Sequence, residues 1–417
     1  MSDVDLFLAK LERARVAAQS LATVTTAQKN AALEAIATAL EHSVPEVVAE
    51  NAKDLAAGRE NGIGDGLLDR LKLDEDRLRG LAAAVRAVIA LPDPVGEVLR
   101  GSTLANGIRL NQVRVPFGVV GAIYEARPNV TIDIAALALK SGNGAVLRGG
   151  TAAENSNRVL VALIQRALNS VGLNGEAVQT IDEFGREGAS RLMRARGYID
   201  VLIPRGSAGL ISTVVQESTV PVIETGSGIV HVYVDASADE DMAAEIVTNS
   251  KTHRPSVCNA AETLLVHREA ADRMLPRLVR ALQDGGVTLA GDDAARAGAD
   301  GIDAATDETW ATEHLDLEMG IRVVESIDEA LAHINRYSSK HTDAIVTQDY
   351  ANSERFLAEV DSAVVMVNAS TRFTDGGEFG FGAEVGISTQ KLHARGPMGL
   401  AELTSTKWLV RGGGQIR

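Results

Sequence analysis

Cys258 is the only cysteine among the 417 residues, and its neighbours in sequence favour a reactive thiol. Lys251, His253 and Arg254 bring positive charge nearby in sequence, which favours the thiolate if these charges are also close in space. Pro255 forces irregular backbone, which suits an exposed side chain better than a core one. A lone cysteine is more often a small buried hydrophobe. The alternative, a nucleophilic thiolate, requires partners elsewhere in the chain.

Two polar residues that follow predicted strands are candidates for these partners. Glu224 lies among apolar and glycine residues just past a strand, where a carboxylate could act as a general base. It could equally cap a helix or form a salt bridge. Asn129 follows Arg127 and Pro128 at the end of another strand. Its amide could stabilise an oxyanion, although an Asx-turn would use the same residue.

Two further segments could contact a dinucleotide cofactor. The fingerprint G-x-G-x-x-G does not follow the first predicted strand, because Gly118 and Gly121 precede or lie within that strand. Gly206 and Ser207 instead follow a strand and open a helix, so free backbone N–H groups there could meet a pyrophosphate. An ordinary strand-to-helix turn explains them equally well. Arg148, at the end of another strand, could bind a cofactor phosphate or ribose, or could be a solvated surface arginine.

Alternating strands and helices position these residues. Residues 4–92 read as a packed layer of helices, and residues 118–234 repeat strand and helix in a way that predicts a parallel doubly wound sheet, with Pro221–Ile223 as its last strand. Ligands bind beyond the carboxyl ends of the strands in such sheets. A second α/β pattern runs from 229 to about 390, with a helix over Asp241–Ser250 before the cysteine and a strand over Thr263–Val266 after it. Another helix is predicted to begin at Ser326.

Residues 97–115 alternate apolar and polar side chains around Asn106-Gly107, a strong hairpin dipeptide. This hairpin could be an oligomerisation arm or a plain surface hairpin. Lys407–Val410 reads as a last strand.

Composition excludes several classes of function. The net charge of -15 and 3% aromatic residues argue against nucleic-acid binding, which needs a basic face and stacking platforms. One cysteine precludes an internal disulfide and fits a reducing compartment. The histidines are scattered and no thiolate cluster exists, so no metal is expected. The acidic N-terminus lacks a secretory signal, and no apolar run has the length of a membrane span. We therefore expect a soluble, cytoplasmic protein.

Taken together, these motifs resemble the aldehyde dehydrogenase superfamily. The strand and turn from Gly118 to Asn129, the Gly206-Ser207 helix start and the Glu224–Ser227 segment match superfamily motifs, and Cys258 follows at the distance of the catalytic cysteine. Counting back from Ile327–Glu329, Glu313 falls where the superfamily has its nicotinamide-ribose glutamate, although His314–Leu317 replaces the usual I-F-G-P. The matching branch is that of the γ-glutamyl phosphate reductases, on four motifs: Tyr124–Asn129, Leu147–Gly150, Arg254–Ala260 and Gly382–Pro397.

This resemblance implies NADPH-dependent reduction of L-glutamate 5-phosphate to the 5-semialdehyde, the second step of proline biosynthesis from glutamate. The Cys258 thiolate would attack the acyl-phosphate carbonyl, and the Asn129 amide with the Cys258 N–H would hold the oxyanion. Arg127 stands where the superfamily usually has an aromatic residue. Arg127 and Arg254 both suit phosphate or carboxylate, and which of them binds which group stays open.

Glu224 is the residue that fits this scheme least. In hydrolytic relatives the matching glutamate activates water, whereas in a reductase hydrolysis would waste the thioester. Two rival interpretations therefore stand beside the reductase. One is an ordinary aldehyde dehydrogenase, which Glu224 favours. The other is a non-catalytic scaffold, which the intact Cys258 and Asn129 oppose.

The resemblance also implies a domain organisation. Residues 1–96 and 116–226 would form an NADP-binding domain of Rossmann type, and residues 227–395 a second α/β catalytic domain. Residues 97–115 and 396–417 would form a small β-hairpin oligomerisation arm. A homo-oligomer, dimer or tetramer, follows from this scheme, with the hairpin pairing with the tail strand near Trp408 of another subunit.

Overall fold

The computed structural model describes residues 2–417 and separates into two compact units. The first unit contains the chain up to Glu224 together with Gly380–Gly386 and Met398–Arg417. The second unit contains Thr225–Phe379 and Ile387–Pro397. Within residues 2–417, no helix combines the length and the apolar character that crossing a membrane requires.

The first unit opens with the predicted layer of helices. Local sequence sets where they begin, because Ser2 and Thr25 form capping boxes and the Asp74 side chain accepts from the Arg77 N–H. Their apolar stripes are buried, as amphipathic helices require. The five helices are α1 (Asp3–Leu21), α2 (Thr26–His42), α3 (Val44–Glu60), α4 (Asp65–Leu71) and α5 (Glu75–Ala90).

The predicted hairpin is present as β1 (Val98–Thr103) and β2 (Arg109–Pro116), which pair antiparallel. The tail strand β16 (Thr404–Arg411) pairs with β2 of the same chain. Pairing of the hairpin with the tail of another subunit is therefore wrong for this structure. The Asn143 side chain donates to the Leu403 carbonyl over 2.8 Å, which fixes the start of the tail strand beside its own hairpin.

A four-stranded parallel sheet forms the centre of the first unit, in the order β5-β4-β3-β6. Nearly all its residues are buried, as expected for a parallel sheet covered on both faces. The predicted strand at Pro221–Ile223 is reduced to a single bridge between Val222 and Leu202, since proline has no N–H to donate. The strands are β3 (Val119–Tyr124), β4 (Gly144–Arg148), β5 (Val178–Thr180) and β6 (Val201–Arg205), and the helices are α6 (Pro128–Lys140), α7 (Glu154–Ser170), α8 (Gly185–Met193) and α9 (Ala208–Glu217).

The second unit contains a seven-stranded parallel sheet in the order β10-β9-β11-β8-β7-β12-β13. Its strands are β7 (Val230–Val234), β8 (Ala261–His267), β9 (Thr288–Gly291), β10 (Ile302–Ala304), β11 (Glu318–Val324), β12 (Thr342–Val346) and β13 (Val364–Val367). Its helices are α10 (Glu240–Thr252), α11 (Arg268–Asp284), α12 (Asp293–Gly298), α13 (Asp307–Ala311), α14 (Ile327–Tyr337) and α15 (Tyr350–Glu359).

Two details complete the sheet and helix assignments. The prediction that a helix begins at Ser326 is confirmed, because its side chain caps α14. The short strands β14 (Gly386–Ser388) and β15 (Gly396–Met398) pair with each other.

Candidate active site

The candidate residues of the first unit lie where three neighbouring parallel strands end. Asn129 follows β3, Arg148 ends β4 and Ser207 follows β6. Because β4, β3 and β6 are adjacent in the sheet, these positions share one edge. This is the carboxyl edge that the sequence predicts for ligand binding. Glu224, which is half-buried, is the last residue of the first and longest segment of the first unit.

Asn129 is oriented by its own helix. Pro128 occupies the first turn of α6, and Arg127, which is exposed, caps it. The Asn129 Nδ2 donates to the Asp133 carboxylate over 3.2 Å, which fixes the side-chain amide. Burial raises the pKa of Asp133 to about 6, against the lowering effects of Asn129 and Arg205. A side-chain amide has two N–H groups, so one remains to donate to a substrate oxygen.

Arg148 is buried, with 9% of its surface exposed, so the solvated surface arginine considered from sequence is wrong. Its Nε has no hydrogen-bond partner within the described part of the chain. Buried Asp182 lies close enough for the charge of Arg148 to act on it. Burial raises the pKa of Asp182 to about 7, while Asn157 and Arg148 pull it down.

The start of α9 already binds an anion, which is a carboxylate of the chain itself. Ser207 caps α9 through its side chain, and its N–H donates to Glu125 Oε2 over 2.9 Å. The Ser207 N–H is therefore not free in this structure, because Glu125 occupies it. A Cβ on Gly206 would lie 2.6 Å from the same carboxylate oxygen, so a side chain at this position would displace the Glu125 carboxylate. The turn thus accepts an anion against its backbone, which fits a cofactor pyrophosphate.

Cys258 lies in the turn between α10 and β8 of the second unit, where it is half-buried and forms no disulfide. Because the side chain is only partly buried, the interpretation of Cys258 as a small buried hydrophobic residue is wrong. Gly228, just before β7, packs directly on the backbone of this turn. A Cβ at Gly228 would lie 1.5 Å from the Cys258 carbonyl oxygen, so a side chain cannot be accommodated there without moving the turn.

Glu313 lies against the same glycine. Its Oε1 accepts the Gly228 N–H over 2.7 Å, and burial raises its pKa while that hydrogen bond lowers it. Gly228, Cys258 and Glu313 precede β7, β8 and β11, which are adjacent in the sheet. The second unit therefore brings its candidate residues together at the amino ends of its strands, the opposite edge from the first unit.

Not all of the positive charges near Cys258 in sequence are available to stabilise its thiolate. Lys251 is fully buried and its Nζ lies 2.6 Å from Glu262 Oε2. The charge of Lys251 is therefore neutralised by Glu262, contrary to the sequence interpretation. His253 and Arg254 are exposed.

Sequence reasoning missed Arg372, whose charge acts on both Arg254 and Cys258. The available signal was the polar run Ser370-Thr371-Arg372 at the carboxyl end of a predicted strand.

The sequence and the fold of this chain are similar to those of known proteins. The model of the aldehyde dehydrogenase family matches residues 3–301. The γ-glutamyl phosphate reductase of Clavibacter michiganensis is 65% identical over 407 residues, 98% of this chain and 94% of that one. That of Leifsonia xyli is 63% identical over 408 residues, 98% of this chain and 97% of its own. The crystal structure of γ-glutamyl phosphate reductase from Thermotoga maritima superposes with a TM-score of 0.97 at 45% identity, and covers 99% of each chain.

Proposed function

This chain belongs to the aldehyde dehydrogenase family, within its γ-glutamyl phosphate reductase branch, and we propose from this premise which of its residues carry the reaction. It is an NADP-dependent oxidoreductase that reduces L-glutamate 5-phosphate to L-glutamate 5-semialdehyde and releases phosphate, the second step of proline biosynthesis. The observation that carries the assignment of residues is the turn of Cys258, held by Gly228 beside Glu313.

Cys258 is the nucleophile in this proposal. Its thiolate adds to the carbonyl carbon of the acyl phosphate, and the carbon–oxygen bond to the phosphoryl group then breaks with its electron pair on phosphate. The product is a thioester on Cys258. The half-buried position of the side chain supports this role, because substrate can reach the sulfur while bulk water is partly excluded.

Asn129 donates to the oxyanion that forms during this attack, together with the N–H of Cys258. Its amide is held by Asp133, so the donor needs little reorganisation when negative charge develops. Removal of one such donor typically lowers kcat by about 10²–10³. Asn129→Ala is therefore expected to lower kcat within that range and to leave the KM for NADPH unchanged.

Four residues hold the cofactor in this proposal. Gly206 and Ser207 would receive its pyrophosphate at the start of α9 in place of Glu125, Arg148 would contact a cofactor phosphate or ribose, and Glu313 would contact the nicotinamide ribose. Bound NADPH supplies the hydride that reduces the thioester.

Arg127 and Arg254 bind the anionic groups of the substrate, as guanidinium forks suit both phosphate and carboxylate. Glu224 does not activate water in this scheme, since hydrolysis would consume the thioester without reduction.

The reverse reaction tests the function, with the cyclised semialdehyde and NADP supplied in the presence and absence of inorganic phosphate. Strict dependence of NADPH formation on phosphate supports the acyl-phosphate reductase. Turnover without phosphate would show that water resolves the thioester. The ordinary aldehyde dehydrogenase, with Glu224 as its base, would then be the correct interpretation.

The separate roles of the two domains belong to the same proposal. Residues 1–96 and 116–226 bind NADP, and residues 227–395 carry the nucleophile.

We propose a homo-oligomer, dimer or tetramer, formed through residues 97–115 and 396–417. Its support is β1, an exposed edge strand with apolar Val98 and Leu99 on the surface. Light scattering on Val98→Lys tests this assembly. A reducing, cytoplasmic location suits an enzyme whose single cysteine must stay reduced.

A further inference from the structure

A short segment of the second unit, Ser370–Thr374, is tied to the helix that precedes the nucleophile. The Ser370 hydroxyl donates to the Asn249 side chain over 2.7 Å. The Thr371 N–H donates to the Ser250 hydroxyl over 3.2 Å. Both acceptors lie near the end of α10, only a few residues before the turn of Cys258. The segment is therefore fixed to one side of that turn.

The same segment is tied to the other side of the turn through the residue that follows the nucleophile. The Thr371 hydroxyl donates to the Asn259 carbonyl over 2.7 Å, and the Asn259 side chain donates to the Thr374 carbonyl over 2.8 Å. Asn259 and Thr371 are buried, so these bonds are shielded from water. Arg372 lies between the two anchored threonines, and its backbone is thus held in register with Cys258.

The side chain of Arg372 is half-buried among groups of the nucleophile turn. Its Nε donates to His253 Nδ1 over 3.3 Å. Burial lowers the pKa of Arg372, and the charge of Arg254 pushes in the same direction, while Asp375, Cys258 and Glu378 oppose them. The two guanidinium groups thus lie close enough for their charges to repel each other, and Arg372 lies close enough to Cys258 for the charge of the thiolate to act on it. An anion placed between them would relieve that repulsion.

We propose that Arg372, with Arg254, binds the phosphoryl group of the acyl phosphate and the phosphate that leaves it. The proposal rests on the acyl-phosphate reductase function proposed above. The geometry of the substrate selects the phosphoryl group over the α-carboxylate. Phosphorus is two bonds from the carbonyl carbon that Cys258 attacks, whereas the α-carboxylate carbon is four bonds away. A cation held close to the nucleophile turn is therefore nearer to the phosphoryl group than to the α-carboxylate.

The way in which phosphate leaves the acyl phosphate explains what Arg372 contributes. As the carbon–sulfur bond forms, the carbon–oxygen bond breaks and its electron pair stays on the phosphate oxygen. Negative charge on phosphate therefore grows through the step, and a guanidinium fork stabilises that charge by paired hydrogen bonds. No proton has to be supplied to the leaving group.

The test is steady-state kinetics of the reverse reaction with Arg372→Gln and Arg372→Lys, varying inorganic phosphate and semialdehyde separately. The expected result for Arg372→Gln is a rise of at least tenfold in the KM for phosphate, which corresponds to about 1.4 kcal/mol. The KM for semialdehyde should change by less than twofold. Arg372→Lys keeps the charge but loses the fork, so a smaller rise is expected. Arg268→Gln, at an exposed arginine paired with Glu325, is the matched control.

Each outcome separates the proposal from its rivals. A raised KM for semialdehyde with an unchanged KM for phosphate would assign Arg372 to the α-carboxylate and overturn the proposal. An unchanged KM for both would also overturn it. If Arg372→Gln does not fold, the Lys variant decides by the same comparison. The requirement of the wild-type enzyme for phosphate tests the proposed function independently, because that requirement can hold whether or not Arg372 supplies the binding.

Discussion

The buried ion pair between Lys251 and Glu262 gives the sharpest prediction about stability and positioning. Both side chains are almost inaccessible, and Nζ lies 2.6 Å from Oε2. Burial raises the pKa of Glu262 to about 7 and lowers that of Lys251, so each charge depends on the other. The second carboxylate oxygen accepts the Leu315 N–H over 3.3 Å. Glu262 therefore connects the nucleophile turn to the segment that carries Glu313.

Glu262→Gln leaves the Lys251 ammonium buried without its counter-charge. Loss of one partner from a buried pair costs about 3–5 kcal/mol. For a unit of about 150–250 residues, each kcal/mol lowers Tm by about 2–4 °C, so the expected decrease is about 6–20 °C. Differential scanning calorimetry measures this shift in the transition of the second unit.

The double variant Lys251→Met, Glu262→Leu distinguishes the effect of the ion pair on stability from its effect on the position of the segment that carries Glu313. Replacement of both charges by apolar side chains is often neutral or stabilising, so its Tm should return close to that of the wild type. The Leu315 N–H would lose its acceptor in the double variant, because leucine has no side-chain oxygen. We therefore expect the KM for NADPH to be raised in the double variant when it is assayed well below its Tm.

A second buried pair provides the matched control. Lys29 Nζ lies 2.9 Å from Asp93 Oδ2 in the first unit, and both side chains are buried. Asp93→Asn should lower Tm without raising the KM for NADPH. The reasoning is refuted if Glu262→Gln leaves Tm unchanged, or if the double variant recovers both stability and the wild-type KM.

Three further predictions concern single residues. Glu125→Gln should bind NADPH several-fold more tightly in a fluorescence titration, because the carboxylate that competes for the Ser207 N–H loses its charge. Gly228→Ala should lower activity by more than about a hundredfold, since its Cβ would overlap the Cys258 carbonyl and displace the Cys258 N–H and the nucleophile together. Asp182 has a folded pKa of about 7, above its usual 3.8, so the folded protein holds a proton that the unfolded chain loses. Unfolding free energy should therefore fall as pH rises from about 4 to about 7, and Asp182→Asn should flatten this slope in urea titrations.

The first two of these predictions have a control within the chain, and the third has a result that would contradict it. Glu187→Gln, at an exposed glutamate of α8, should leave the Kd for NADPH unchanged; weaker binding by Glu125→Gln would mean that Glu125 holds the cofactor rather than competing with it. Gly80→Ala, where an added Cβ meets nothing within 4 Å, should retain activity. Equal slopes of stability against pH in wild type and Asp182→Asn would contradict the raised pKa of Asp182.

The sequence predicted most of the architecture because its signals are local. Alternating strand and helix patterns and capping residues such as Ser326 act over a few residues, and they predicted most of the elements that the structure contains. The strand at Pro221–Ile223 is an exception, because only a single bridge forms there. The sequence analysis placed the pairing of β16 with β2 between subunits. A strand pattern in a sequence does not indicate whether two strands pair within one chain or between two chains. The Asn143 contact that decides it joins residues far apart in sequence.

The residues that were misread or missed depend on tertiary contacts. Lys251 looked like a charge near the thiol because the Glu262 that neutralises it belongs to the buried strand β8. Glu125 reaches the start of α9 only because β3 and β6 are neighbours. Arg372 is brought to Cys258 by hydrogen bonds through Asn259 and Thr371. None of these contacts leaves a periodicity or a spacing in the sequence.

The most direct test of the Cys258 thioester is a single-turnover experiment in the reverse direction without phosphate. The enzyme is mixed with semialdehyde and NADP, and NADPH formation and the intact protein mass are followed together. The account predicts a burst of one NADPH per chain that then stops, with an acyl adduct on the Cys258 peptide, and turnover that resumes when phosphate is added. Continued turnover without phosphate, or an equal burst from Cys258→Ala, would contradict it.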